Sequence, residues 1–81
     1  MNRNEVFELV RTHLAEELEV DAAGIAEGTR FKEDLDADSL DLYELVMELE
    51  DRYGISVSEE QAAEIETVGD AVSFVLEHAA A

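Results

Sequence analysis

The chain contains no cysteine. That excludes disulfide bridges and thiolate metal sites, and it leaves the redox compartment unread. No apolar run is long enough to span a bilayer. The opening residues, MNRNEVFELV, lack the pattern of a secretory signal, so the expected location is the cytoplasm. Basic residues are scarce: five Lys and Arg stand against 22 Asp and Glu, for a net charge of −17. Such a surface repels nucleic acid and anionic membranes and draws basic partners. From Glu33 to Asp51 no Lys or Arg occurs, while nine acids do: Glu33, Asp34, Asp36, Asp38, Asp41, Glu44, Glu48, Glu50 and Asp51. A surface built only for solubility mixes its signs. This one is a single-sign field whose self-repulsion costs stability, so a use for it is expected.

What is present suffices for one small domain over residues 1–81. With 81 residues and 47% hydrophobic side chains, the chain is too apolar for simple disorder and too short for a deep core. Val6, Phe7, Val10, Leu14 and Leu18 recur at helical spacing and predict a first helix over 4–18, with Asn4 as its N-cap. Residues 19–37 have no clear period and hold two glycines. They read as a long loop pinned by Val20, Ile25, Phe31 and Leu35. The strongest helix is 39–53, with Leu42, Leu45, Val46, Leu49 and Tyr53 on one face. Asp38 and Asp41 are spaced as a capping box at its start, and Gly54 is placed to end it. The triplet ISV at 55–57 alternates like a strand but finds no partner strand. Ser58 and Gln61 form a second capping-box pattern before a short helix. Thr67 caps a last helix with Val68, Ala71, Val72 and Val75 inward, and the alanines 79–81 are expected to fray. The fold class is therefore all-α: a small four-helix bundle, three main helices and one short, with a long loop between the first two.

The stretch EDLDADSLDLYE at 33–44 carries the chemistry. Asp34, Asp36 and Asp38 match positions 1, 3 and 5 of a calcium loop. The glycine of position 6 is Ser39, however, and the bidentate acid of position 12 is Leu45. No dedicated metal site is expected, although a calcium-binding helical module stands as a rival reading. Paired-carboxylate catalysis needs burial to separate the two pKa values, and these acids read as exposed. His13 and His78 read as boundary or surface residues, and no histidine lies near Ser39 in sequence, so nucleophilic catalysis by Ser39 is not expected. The remaining reading makes Ser39 an attachment point. Its hydroxyl would stand exposed in the first turn of a helix, where free N–H groups and the dipole favour an anion. The motif Asp38–Ser39–Leu40 alone does not outweigh a plain capping turn.

The wider context does. EDL before ADSLD, then ELVMELE, the YG pair, an acidic short helix and TVGDAV together resemble acyl carrier proteins, in particular the free-standing type of fatty-acid synthesis. The likeness runs from Phe31 to about Val75. The resemblance implies that Ser39, flanked by Asp38 and Leu40, receives 4′-phosphopantetheine from coenzyme A through a phosphopantetheinyl transferase. The arm then holds acyl chains as thioesters and delivers them to enzymes with basic docking patches. It implies a docking face of Leu40, Asp41, Glu44, Met47, Glu48 and Asp51. It implies an acyl-chain pocket among Phe31, Tyr43, Val46, Leu49, Ala62, Ile65 and Ala71, which by periodicity alone are simply core. A monomer is expected. Carriers of polyketide or aminoacyl groups share the Ser39 chemistry and stay open as an alternative, as does an adaptor that uses the acidic face unmodified. The chain departs from the family at Asp36, where Gly is frequent, at Tyr43, usually small and aliphatic, at Leu42, often polar, and at Ser58, commonly Pro; it has no proline at all.

Overall fold

The computed structural model describes residues 2–79. Four helices follow in order: α1 (Arg3–Leu18), α2 (Ser39–Tyr53), α3 (Glu59–Glu64) and α4 (Val68–His78), with a 3-10 turn at Ala22–Gly24. The all-α four-helix architecture is as expected, and no strand forms among the described residues. ISV stays extended and unpaired, while an isolated antiparallel bridge joins Arg30 and Thr67 instead.

Each helix starts where a side chain can accept a free backbone N–H. For α1 that residue is Asn2, not Asn4: Asn2 Oδ1 accepts the Glu5 N–H at 2.9 Å. Helical spacing could not choose between two asparagines that lie two residues apart. Asp38, Ser58 and Thr67 cap the other three, each in a reciprocal box with Asp41, Gln61 and Asp70. Gly54, at φ 66°, closes α2 in the left-handed conformation glycine adopts freely. Glu19 adopts φ 54° at the end of α1, where Val20 N–H reaches the Ala15 carbonyl at 3.1 Å.

The core lies chiefly between α1 and α4, with α2 closing it. Val6, Val10, Leu14, Leu45, Leu49, Val68, Ala71, Val72 and Val75 are essentially solvent-free. Removing any one of the larger of these side chains would cost about 2–5 kcal/mol. From the short α3 only Ala62 is buried, and Ile65 follows just beyond it. The long loop is pinned at Ile25 and Phe31, and Leu35 packs partly against the core. Val20 does not serve as a pin: it is exposed, because the reversal at Glu19 turns it outward. Ala79 is buried and donates its N–H to the Val75 carbonyl at 2.8 Å, so it is packed rather than frayed. Residues 80 and 81 lie outside the described residues.

Backbone bonds tie the loop to the start of α4. Phe31 N–H meets the Glu66 carbonyl at 3.0 Å, Val68 N–H meets Thr29 at 3.0 Å, and Gly69 N–H meets Glu27 at 2.7 Å. Arg3 adds a clamp from α1, donating to Glu27 Oε1 at 2.9 Å and to Ser73 Oγ at 3.1 Å. That pairing holds the Glu27 carboxyl below the usual carboxylate range. Its contribution is complete above the unfolded-state value and is lost as pH falls through the folded one.

Gly69 is required by this close approach, since a Cβ there would lie 2.9 Å from the Glu27 carbonyl oxygen, a backbone atom that cannot rotate away. Gly69→Ala should therefore destabilise by about 1–3 kcal/mol. At roughly 4–8 °C per kcal/mol for a domain of this size, a thermal melt would register it; an unchanged melting temperature would refute the crowding.

Candidate functional site

The segment before α2 folds back on itself. Asp34 and Leu35 N–H groups both meet the Arg30 carbonyl, Asp36 N–H meets Lys32 at 3.1 Å, and Ala37 N–H meets Phe31 at 2.9 Å. The reversal passes through Asp36 at φ 54°. Aspartate tolerates that left-handed region better than most residues, but glycine enters it without steric cost. Phe31 and Ala37 turn inward and are buried on either side of the reversal. Together they fix the chain just ahead of α2.

Asp38 and Asp41 then start the helix. Asp38 Oδ1 accepts the Asp41 N–H at 3.0 Å, and Asp41 Oδ2 accepts the Asp38 N–H at 3.1 Å. Ser39 is the first helical residue and is exposed. Its hydroxyl makes no hydrogen bond to the described residues, and the Ser39 and Leu40 N–H groups find no protein acceptor there. Asp38 and Leu40 flank it, also exposed.

Beside Ser39 opens a cavity of about 370 Å³. Phe31, Ala37, Leu42, Ala62 and Ile65 give it an apolar floor, while Lys32, Tyr43 and Glu66 stand among its polar lining. Of the seven residues expected around an acyl chain, Phe31, Tyr43, Ala62 and Ile65 line this cavity. Val46, Leu49 and Ala71 are buried but do not reach it: helical period identified their inward face without separating core from cavity wall. Lys32, Ala37, Leu42 and Ala63 line it unforeseen. Leu42 had a signal, standing three residues after Ser39 on the same side of the helix. Lys32 had none, because its place depends on the reversal at Asp36.

The outer side of α2 is assembled as its spacing required. Leu40 and Met47 are 64% and 65% exposed, large for apolar side chains left in water, and Tyr43 is 47% exposed between them. Asp51 is exposed, while Asp41, Glu44 and Glu48 are half-buried. Arg52 pairs with Glu48 at 3.2 Å and so offsets part of that charge.

The three alternating aspartates do not converge as calcium ligands. Asp34 turns to Arg30, accepting its backbone N–H at 2.8 Å and its guanidinium at 3.2 Å. The guanidinium first, and then the backbone N–H, hold the Asp34 carboxyl below the usual carboxylate range. Asp38 is spent on the cap. The carboxylates that do meet, among the described residues, are those of Glu17, Asp41 and Glu44, within 4.8 Å of one another. His78 is exposed, stacks on Phe74 and contacts its carbonyl at 2.9 Å. His13 is only half-buried, on α1 outside the residues that line the Ser39 cavity.

The backbone at Asp36 makes a direct test. Asp36→Gly should melt no lower than the wild type, whereas Asp36→Val, which places a β-branched side chain at positive φ, should lose about 1–2 kcal/mol. Equal melting temperatures for the two variants would contradict the left-handed assignment.

A family model described as a phosphopantetheine attachment site matches residues 8–75. The chain is similar to an acyl carrier protein of Lactobacillus acidophilus, 44% identical over 78 residues that span 96% of this chain and 98% of that one. An acyl carrier protein of Rubrobacter xylanophilus is also 44% identical over 78 residues, covering 96% of each. Among solved structures, that of the acyl carrier protein from Enterococcus faecalis superposes with a TM-score of 0.81. It is 38% identical and covers 95% of this chain and 98% of its own.

Proposed function

The chain belongs to the acyl carrier proteins, and on that premise we propose that Ser39 is the residue that takes the 4′-phosphopantetheine arm. A carrier of this family is not a catalyst: it holds acyl groups and is itself the substrate of a phosphopantetheinyl transferase. One observation carries the assignment. Ser39 combines an exposed hydroxyl free of any described hydrogen bond with a place at the mouth of an apolar-floored cavity.

The donor set fits the group. Ser39 Oγ is open to the transferase, and loses its proton as it bonds to phosphorus and the nucleotide half of coenzyme A departs. The unpaired N–H groups of Ser39 and Leu40 suit an anionic oxygen. When bound, the arm supplies the terminal thiol on which acyl groups ride as thioesters. The neighbouring cavity supports a sheltering role for Phe31, Ala62 and Ile65, with Leu42 and Tyr43 at the α2 side. Its α3 wall is short and buries only Ala62, which makes it a suitable part to yield when a chain enters.

The outer face of α2 supports docking on enzymes that carry Lys or Arg around their entrances, those of fatty-acid synthesis being the usual clients of such carriers. Leu40 and Met47 offer small apolar contacts, and methionine adapts to differently shaped partners. Asp41, Glu44, Glu48 and Asp51 surround them with charge that speeds encounter and weakens with salt.

Incubation with coenzyme A, Mg²⁺ and a broad-specificity phosphopantetheinyl transferase should add one arm by intact mass, and Ser39→Ala should add none. Loading that persists in Ser39→Ala would move the site elsewhere. For docking, Glu44→Lys should slow association with a basic partner enzyme more than Glu48→Lys does, because Arg52 already offsets Glu48. Stopped-flow rates at low salt would read the difference, and rates indifferent to both substitutions would remove the steering role.

A further inference from the structure

Four of the five cations are committed within the chain. Arg3 pairs with Glu27, Arg11 with Glu8, Arg30 with both Glu33 and Asp34, and Arg52 with Glu48. Lys32, the one lysine of the sequence, makes neither an ion pair nor a side-chain hydrogen bond to the described residues. In a protein with 22 acids that is unexpected, and the reason is local. Among the carboxylates near it in sequence, Glu33 and Asp34 lean to Arg30 at 3.3 and 3.2 Å and Asp38 caps α2, while Asp36, on the reversal, makes no ion pair with the described residues.

The base of Lys32 is nevertheless held in place. Its carbonyl accepts the Asp36 N–H, and its neighbour Phe31 is buried. Lys32 lines the same cavity as Ser39. A phosphodiester formed on Ser39 would bring a further negative charge to a position between Asp38 and Asp41, in the most acidic part of the chain. A compact ammonium on a flexible stem matches a phosphate oxygen well. We propose that Lys32 is the counter-ion of the phosphodiester on Ser39, an inference that rests on the Ser39 assignment and deepens it.

The Ser39 and Leu40 N–H groups and Lys32 would together hold the phosphodiester oxygens beside the cavity. An enzyme that presents its own cations to the same oxygens displaces Lys32 and frees the root of the arm.

The test uses ¹³C-labelled apo and holo protein, with loading verified by intact mass. Because there is one lysine, its Hε–Cε cross peak needs no sorting from others. That peak should move between apo and holo protein, and should move back toward its apo position in high salt. The ³¹P line of holo protein should shift in Lys32→Gln and return toward wild type in Lys32→Arg. A stationary lysine peak together with a ³¹P line indifferent to Lys32→Gln, in fully loaded protein, would overturn the proposal alone. Failure of the mass increment to appear at all would instead remove the Ser39 assignment, and the proposal with it.

Discussion

Two hydrogen bonds exchanged between Asp38 and Asp41 decide where α2 begins. A helix leaves its first N–H groups without internal acceptors, and this pair satisfies two donors with two side chains. Had the helix started one residue later, Ser39 would become the cap and spend its oxygen on a backbone N–H. With Asp38 in that role, the serine is left with nothing to do structurally. The apolar stripe sets the rotation of the helix, so that Leu45, Val46 and Leu49 face inward while Leu40 and Met47 face water.

The reversal through Asp36 and the knot between the loop and α4 work toward the same end. They press Phe31 and Ala37 into the interior and hold the approach to α2 in one conformation. The short α3, of which only Ala62 is buried, contributes Glu59, Ala62 and Ala63 to the opposite side of the cavity.

Most of this was legible in the sequence because it depends on local rules. The α2 boundaries, its capping box, the Gly54 stop and the inward residues of α4 follow from spacing and from the chemistry of free helix ends. The long-range features were not legible. Nothing in residues 27–31 announces that their carbonyl and N–H groups meet residues 66–69. For the same reason the cavity lining was only half foreseen: an apolar helical position looks the same whether a neighbouring helix or an empty space lies opposite. Asp36 was visible as a departure from the family's glycine, but its meaning required the dihedral angle. The N-cap of α1 lies at Asn2 rather than Asn4, because apolar spacing sets a helix's face and not its first residue.

The commitment of all four arginines to acids of the same chain leaves almost no positive ground on the exterior for another copy to grip. Two such molecules meeting in dilute buffer would each find carboxylate opposite carboxylate, so the preparation should behave as a dispersed colloid of mutually avoiding particles. That avoidance reaches only as far as the ionic atmosphere, about 8–10 Å at ordinary salt. Crowding the solution with electrolyte should therefore let the particles draw closer without any change in fold.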